Sequence, residues 1–216
     1  MSVCMPITKD QIRNHFHYNL WKYVLLIVVA VFGWNLLFTT TSYRVPADRK
    51  VEFYAEGYQT DETAAAMDEL VARIHRELLP EMEAVSYRFL FLDDTYGPMQ
   101  LMIWASAGEG DLYLLTKEHF LQLTGGGATV DLRPYIDSGK LQVEGIHLAP
   151  GLVRDAETGQ MVQYGIPADS LVRLAEYGLV TKGGILTVLG SGQNEEEAVL
   201  FLDELLRCMR EEDGAR

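Results

Sequence analysis

Val51-Glu-Phe-Tyr-Ala-Glu-Gly-Tyr58 and Ala84-Val-Ser-Tyr-Arg-Phe-Leu-Phe-Leu92 flank a helical stretch, and the reading of these segments decides the fold. The first alternates in part, is rich in strand formers and closes at Gly57-Tyr58 before a polar turn, so it reads as a strand. Thr60 or Asp61 can cap the helix that follows, in which Met67, Leu70, Val71, Ile74 and Leu78 recur at helical spacing until Pro80. The second segment is again a strand, stopped by Asp93-Asp94 and a turn through Gly97-Pro98. Strand, helix and strand within about forty residues make a βαβ unit, which implies parallel neighbours.

Downstream the alternation continues. Met99 to Ala107 reads as a short helix, and Asp111-Leu-Tyr-Leu-Leu-Thr116 as a third strand reached through Gly108-Glu-Gly110. Lys117 to Leu123 is a brief helix ended by Gly125-Gly-Gly127. The stretch from Val130 to Tyr164 is broken by Gly145, Pro150, Gly151 and Gly159, and the turn signal Glu157-Thr-Gly159 predicts a β-hairpin over Gly151 to Ile166. A helix near Ala168 to Tyr177 and a strand Gly184-Ile-Leu-Thr-Val-Leu189 follow. The last helix carries Val199, Leu202, Leu206 and Met209 on one face, and Asn194-Glu-Glu-Glu197 at its start predicts a capping box. The class is α/β.

Upstream lies one apolar, uncharged run, Tyr23-Val-Leu-Leu-Ile-Val-Val-Ala-Val-Phe-Gly-Trp-Asn-Leu-Leu-Phe38. With Leu20, Trp21 and the stem of Lys22 it reaches the ~17 to 25 residues that a helix needs to cross a bilayer. A buried core helix and a cleaved signal peptide are the alternatives. The all-round apolar surface disfavours the first; the long preceding segment and the absence of an Ala-x-Ala site after the run disfavour the second. The expected organisation is a tail 1–19, a transmembrane helix 20–40, a linker 41–50 and an α/β domain 51–216. Lys9, Arg13 and Lys22 precede the run and Arg44, Arg49 and Lys50 follow it, so charge does not set the orientation. A short tail inside and a translocated domain is the common arrangement for a single anchor. The expected location is therefore the cell membrane, single-pass, with the C-terminal domain extracytoplasmic.

From Val51 onward 12 Lys and Arg stand against 29 Asp and Glu, a balance of −17. Such a domain is a poor nucleic-acid binder and is repelled by anionic lipid heads; no nucleic-acid partner is expected. Cys4 and Cys208 lie on opposite sides of the proposed span, so the domain is expected to fold without a disulfide, and Cys208 reads as a small core residue of the last helix. His75, His119 and His147 have no neighbours at metal-ligand spacing. Gly190-Ser-Gly192 resembles a phosphate-cradling turn, but the three Glu residues that follow would repel phosphate. Ser191 lacks the flanks of a nucleophile elbow. No catalytic residue, metal site or cofactor is expected, and the chain is not read as an enzyme.

One resemblance extends over most of residues 51–206. Ala107-Gly-Glu-Gly-Asp-Leu-Tyr-Leu-Leu-Thr-Lys-Glu-His-Phe120, then Gly126-Ala-Thr-Val-Asp-Leu-Arg-Pro-Tyr-Ile136, resembles the first lobe of the extracellular solute-binding proteins of bacterial ABC importers. Ile185-Leu-Thr-Val-Leu-Gly-Ser-Gly-Gln-Asn-Glu-Glu-Glu-Ala-Val-Leu-Phe-Leu-Asp-Glu-Leu-Leu206 is similar to that family's closing strand, turn and helix. The resemblance implies one doubly wound lobe like the first lobe of a type II periplasmic binding protein, preceded here by one transmembrane helix. Two departures stand out. The family inserts a second lobe where Tyr135 to Gly165 is far too short to hold one, and the family arrives by a cleaved or lipidated signal. The expectation is a truncated, membrane-anchored, single-lobe relative acting by binding: an accessory or degenerate component beside a membrane transport or envelope protein. The rival is a genuine small-solute receptor, for a sugar or peptide, whose cleft a second subunit completes. Open α/β sheets place ligands outside the carboxyl ends of their strands, so the expected ligand or partner rim is Tyr58, Asp93, Asp94, Thr116 and Lys117. The segment Pro150 to Ile166 is expected to fill the vacated lobe interface.

Overall fold

The computed structural model describes residues 9–41, 43–92, 96–156, 158–190 and 194–210. They form two compact units, Met1–Arg44 and Val45–Arg216. Among the described residues the first contains one helix, α1 (Lys9–Thr41), of 33 residues, which reaches back into the segment read as a tail. Within it Tyr18–Thr41, 24 residues, is long and apolar enough to cross a membrane by length and composition; at 1.5 Å per residue it measures about 36 Å against about 30 Å of hydrocarbon. Trp21, Leu26, Phe32, Trp34 and Phe38 are exposed on it. Near its end Thr40 and Thr41 donate their hydroxyls to the carbonyls of Leu36 and Leu37 at 2.8 and 2.6 Å, so those polar groups are satisfied within the helix itself.

The second unit is built on a five-stranded sheet. β1 (Lys50–Glu56), α2 (Asp61–Leu78) and β2 (Ala84–Leu90) form the expected parallel βαβ unit, with Val51 opposite Val85 and Phe53 opposite Tyr87. Thr60 caps α2 in a reciprocal box with Thr63. α3 (Gly97–Ser106) leads to β3 (Leu112–Thr116), which pairs parallel with the other side of β1. Gly97-Pro98, read as a turn, instead forms the first turn of α3, where proline is favoured because its missing N–H has no helical partner there. α4 (Lys117–Gly125) and α5 (Arg133–Asp137) follow. β4 (Leu152–Arg154) and β5 (Met161–Gln163) make the predicted hairpin as a separate two-stranded sheet. β6 (Ile166–Pro167) and β7 (Gly184–Val188) complete the main sheet in the order β2-β1-β3-β7-β6. β7 runs antiparallel to both β3 and β6, so the sheet is mixed. The helix expected over Ala168 to Tyr177 is a shorter 3-10 turn, Val172–Tyr177. α6 (Glu195–Met209) closes the fold.

Strand residues alternate between two cores, as the two-residue period of a strand requires. Val51, Phe53 and Ala55 of β1, Leu112 and Leu114 of β3, and Leu186 and Val188 of β7 pack beneath α2 and α6. Tyr54, Tyr113, Leu115 and Ile185 face the opposite way, into a core with Leu101 and Ala105 of α3 and Phe120 and Leu123 of α4. Phe53 lies 5.8 Å from Phe201, and Tyr54 meets Tyr113 edge-on at 5.2 Å between ring centres. Helices on both faces explain why Leu112-Tyr-Leu-Leu115 is apolar without a break.

At the amino end of the sheet a polar knot ties the strands to α6. The buried amide of Asn194 donates to Ala47 O at 2.6 Å and Lys50 O at 2.7 Å. The capping box expected at Asn194 is therefore not made: its side chain forms no cap bond, because its N–H groups serve the carbonyls that lead into β1. Beside it, Asp111 accepts from the Glu52 N–H at 2.8 Å, and Lys50 pairs with Glu52 at 2.9 Å.

Candidate functional site

The opposite, carboxyl end of the sheet is where the strands stop and side chains converge. Glu56, the last residue of β1, is largely buried, and its Oε2 accepts three hydrogen bonds. They come from the Thr116 N–H at 2.9 Å, the Thr116 hydroxyl at 3.2 Å and His119 Nδ1 at 3.0 Å. Thr116 ends β3 and His119 lies in the first turn of α4, so this carboxylate fastens β1 to the β3–α4 junction. Thr116 Oγ1 also lies 3.0 Å from the same His119 Nδ1. A catalytic relay uses the two ring nitrogens of a histidine for two different partners; here hydroxyl and carboxylate both address Nδ1. The triangle is a positioning device, not a nucleophile with its base.

Next to it the chain makes a close crossing. Gly57 forms a bridge with Leu179, the Tyr58 N–H donates to Gly178 O at 2.7 Å, and the Val180 N–H donates to Glu56 O at 3.0 Å. A Cβ on Gly57 would stand 2.2 Å from Gly178 O, and Gly178 itself has φ +72°. Both positions need glycine, one for space and one for the left-handed backbone.

These segments and the end of β2 surround an open groove of about 220 Å³ lined by Glu56, Tyr58, Phe91, Leu92, Thr116 and Leu179. Tyr58 is 86% exposed and Phe91 69% exposed, large values for aromatic side chains. Tyr96, at the start of α3, is exposed as well. Of the expected rim, Tyr58 and Thr116 line this groove. Lys117 is exposed on the first turn of α4, outside the lining. Asp93 and Asp94 lie outside the described residues, as does Ser191. Glu56, His119 and Phe91 were not singled out from sequence. The first two sit 63 residues apart, and only the parallel pairing of β1 with β3 brings them together; Phe91 could have been found as the apolar residue just past a strand end.

Pro150 to Ile166 is the segment expected to fill the vacated lobe interface. Val153 and Tyr164 pack against the α3–α4 core, and the chain that closes on the strand ends is Gly178 to Val180. Gly165 fits against Phe120 and Ile185 where any Cβ would clash, which allows the end of the hairpin to lie close against α4 and β7. His75 bonds Met82 O through Nε2 at 2.8 Å, and His147 is exposed. Among the described residues no group of three or more His, Cys, Asp or Glu is gathered as a metal site.

No family model and no curated protein matches the chain. Among solved structures it is similar to extracellular solute-binding proteins, the family its sequence resembles. One is an ABC substrate-binding protein from Listeria monocytogenes in complex with cycloalternan, at 20% identity over 54% of this chain and 28% of that one, with a TM-score of 0.38. Another is an extracellular solute-binding protein of family 1 from Alicyclobacillus acidocaldarius, at 17% identity over 59% and 29%, with a TM-score of 0.40. A third is the galacto-N-biose-/lacto-N-biose I-binding protein of an ABC transporter from Bifidobacterium longum in complex with lacto-N-biose, at 16% identity over 56% and 28%, with a TM-score of 0.42. The chain spans less than a third of the length of each of these proteins.

Proposed function

We propose that this chain is a membrane-anchored, extracytoplasmic binding domain related to the solute receptors of ABC importers, which docks a membrane transport or envelope protein through the carboxyl edge of its sheet. The observation that carries the reading is the exposed aromatic rim, Tyr58 and Phe91, around a groove fixed from below by Glu56, Thr116 and His119. The groove supports docking over solute capture by its size. At about 220 Å³ it falls below the ~300 to 1,000 Å³ of sites that bury a small molecule alone. Rigid aromatic side chains that protrude from a polar surface suit an interface in which a partner supplies the opposing wall. The solute-receptor reading rests on the same aromatic rim and requires a second subunit to complete the cleft.

The test is photo-crosslinking in the native membrane from a reactive amino acid placed at Tyr58, with Glu83 at the amino edge of the sheet as the control position. The expected result is a discrete adduct from position 58, identified by mass spectrometry as a transport or envelope protein and absent from position 83. Equal labelling from both positions, or none from position 58, would overturn the reading.

A further inference from the structure

Four of the 12 Lys and Arg residues that follow Val51 meet in one place. Arg73 and Arg76 of α2, Arg173 of the 3-10 turn and Arg207 of α6 line a groove of about 590 Å³ between those elements, with Cys208 also in its wall. The same wall carries three carboxylates, Glu69, Glu77 and Glu204, so four guanidinium groups stand against three acids there, whereas the domain as a whole has 29 acids to 12 bases. Two of the four are already engaged. Arg207 grips Glu204 with two bonds of 2.8 and 2.5 Å, and Arg173 donates to Cys208 O at 2.8 Å and lies 3.8 Å from Glu176. The other two make no direct bond to a carboxylate among the described residues, although the charge of Arg73 acts on Glu204. Arg73 donates to Cys208 Sγ at 3.4 Å and Arg76 to Ala72 O at 3.2 Å. Neither makes an ion pair among the described residues, although Glu69 and Glu77 flank Arg73 at the helical spacing that would allow one.

We propose that the groove between α2, α6 and the 3-10 turn binds a compact oxyanion, the phosphate group of a small molecule, through Arg73 and Arg76 with Arg173 at its side. The guanidinium fork matches a phosphate edge with two parallel N–H bonds. The volume lies within the range of small-ligand sites, unlike the groove at the strand ends. Glu69 and Glu77 in the wall act against any anion, and with the acidic surface beyond they weigh most on extended polyanions such as nucleic acid or an anionic bilayer, so the site favours a single small anion held by direct guanidinium bonds. Glu204 is occupied by Arg207 and accepts from Cys208 Sγ at 3.2 Å. Burial and this neighbouring carboxylate push the Cys208 thiol up, so it stays neutral and does not oppose an anion. The site is separate from the docking rim and stands or falls without it.

The experiment uses the full chain carrying Cys4→Ser, in uncharged detergent micelles. Thermal unfolding is followed with inorganic phosphate and with glycerol 3-phosphate, each against sodium chloride of equal ionic strength, and the rate of Cys208 alkylation is measured alongside. The expected result is a midpoint that rises with either phosphate beyond the chloride control, with alkylation of Cys208 slowed. The pair R73Q and R76Q together weakens the apparent Kd at least tenfold, and R76Q alone weakens it by a smaller factor, while both leave the ligand-free midpoint in place. A midpoint that follows ionic strength alone, or a phosphate response that survives in R73Q/R76Q, would overturn the proposal.

Discussion

Asp111 gives the sharpest test of how this domain is held together. It is 7% exposed just before β3, and its carboxylate accepts the Glu52 N–H. Burial, reinforced by the charge of Glu52, pushes its pKa up from 3.8 to about 6, with Lys50 and the hydrogen bonds from Glu52 and Asn194 pulling the other way. The folded value lies above the unfolded one, so between those values the native state holds a proton that the unfolded chain has released. The contribution to stability is full below the unfolded value and is lost as pH rises through about 6. A shift of that size corresponds to about 3 kcal/mol. Asp111→Asn keeps an oxygen for the Glu52 N–H and cannot ionise. Relative to the parent it is expected to be near neutral in stability at pH 4 and more stable by up to about 3 kcal/mol at pH 7.5. Urea unfolding of the full chain in micelles reads this directly from Trp104, with Trp21 and Trp34 replaced by Phe. A difference that does not change with pH, or a variant less stable than its parent at pH 7.5, would refute the reasoning.

Other parts of the fold give equally direct outcomes. Phe201→Ala empties the centre of the α2–α6 core and is expected to cost about 3 to 5 kcal/mol in urea unfolding. Asn194→Ala leaves the carbonyls of Ala47 and Lys50 without their donor and is expected to cost about 1 to 3 kcal/mol in all; Asn194→Asp does not rescue it, since a carboxylate has no hydrogen to donate. Gly178→Ala combines a left-handed backbone with a Cβ 2.2 Å from Tyr58 O, and is expected to lose about 1 to 3 kcal/mol and to speed hydrogen exchange at Tyr58 and Val180. Tyr58→Ala is expected to leave the unfolding midpoint within about 0.5 kcal/mol of the parent, as an exposed side chain should, while abolishing a crosslink placed at position 91.

Local pattern carried much of the architecture. β1, α2 and β2 were legible because their periods switch cleanly and Thr60 marks the boundary, and the β4–β5 hairpin because a strong turn lies between two β-rich runs. The direction of β7 was not, since Gly184-Ile-Leu-Thr-Val188 carries no sign of its partner's orientation; that is settled by the chain's return from the edge strand β6, which sets β7 antiparallel between β6 and β3. Asn194 was misread for a related reason. Its local motif is that of a helix cap, and only the tertiary approach of the residues before β1 offers its amide a better pair of acceptors. Tyr58 and Thr116 could be placed at the rim from strand ends alone. Glu56 and His119 could not, because a carboxylate and an imidazole far apart in sequence become neighbours only through strand pairing.

The side of the membrane on which the Val45–Arg216 unit lies is the claim on which a docking role outside the cell depends, and one labelling measurement addresses it. Lys182 is exposed in the turn before β7. With Cys4 and Cys208 replaced by Ser and Lys182→Cys introduced, intact cells expressing the full chain are treated with a membrane-impermeant maleimide, with and without permeabilisation. The account expects position 182 to label fully in intact cells, with no increase on permeabilisation. Labelling that occurs only after permeabilisation would put the domain in the cytoplasm and contradict it.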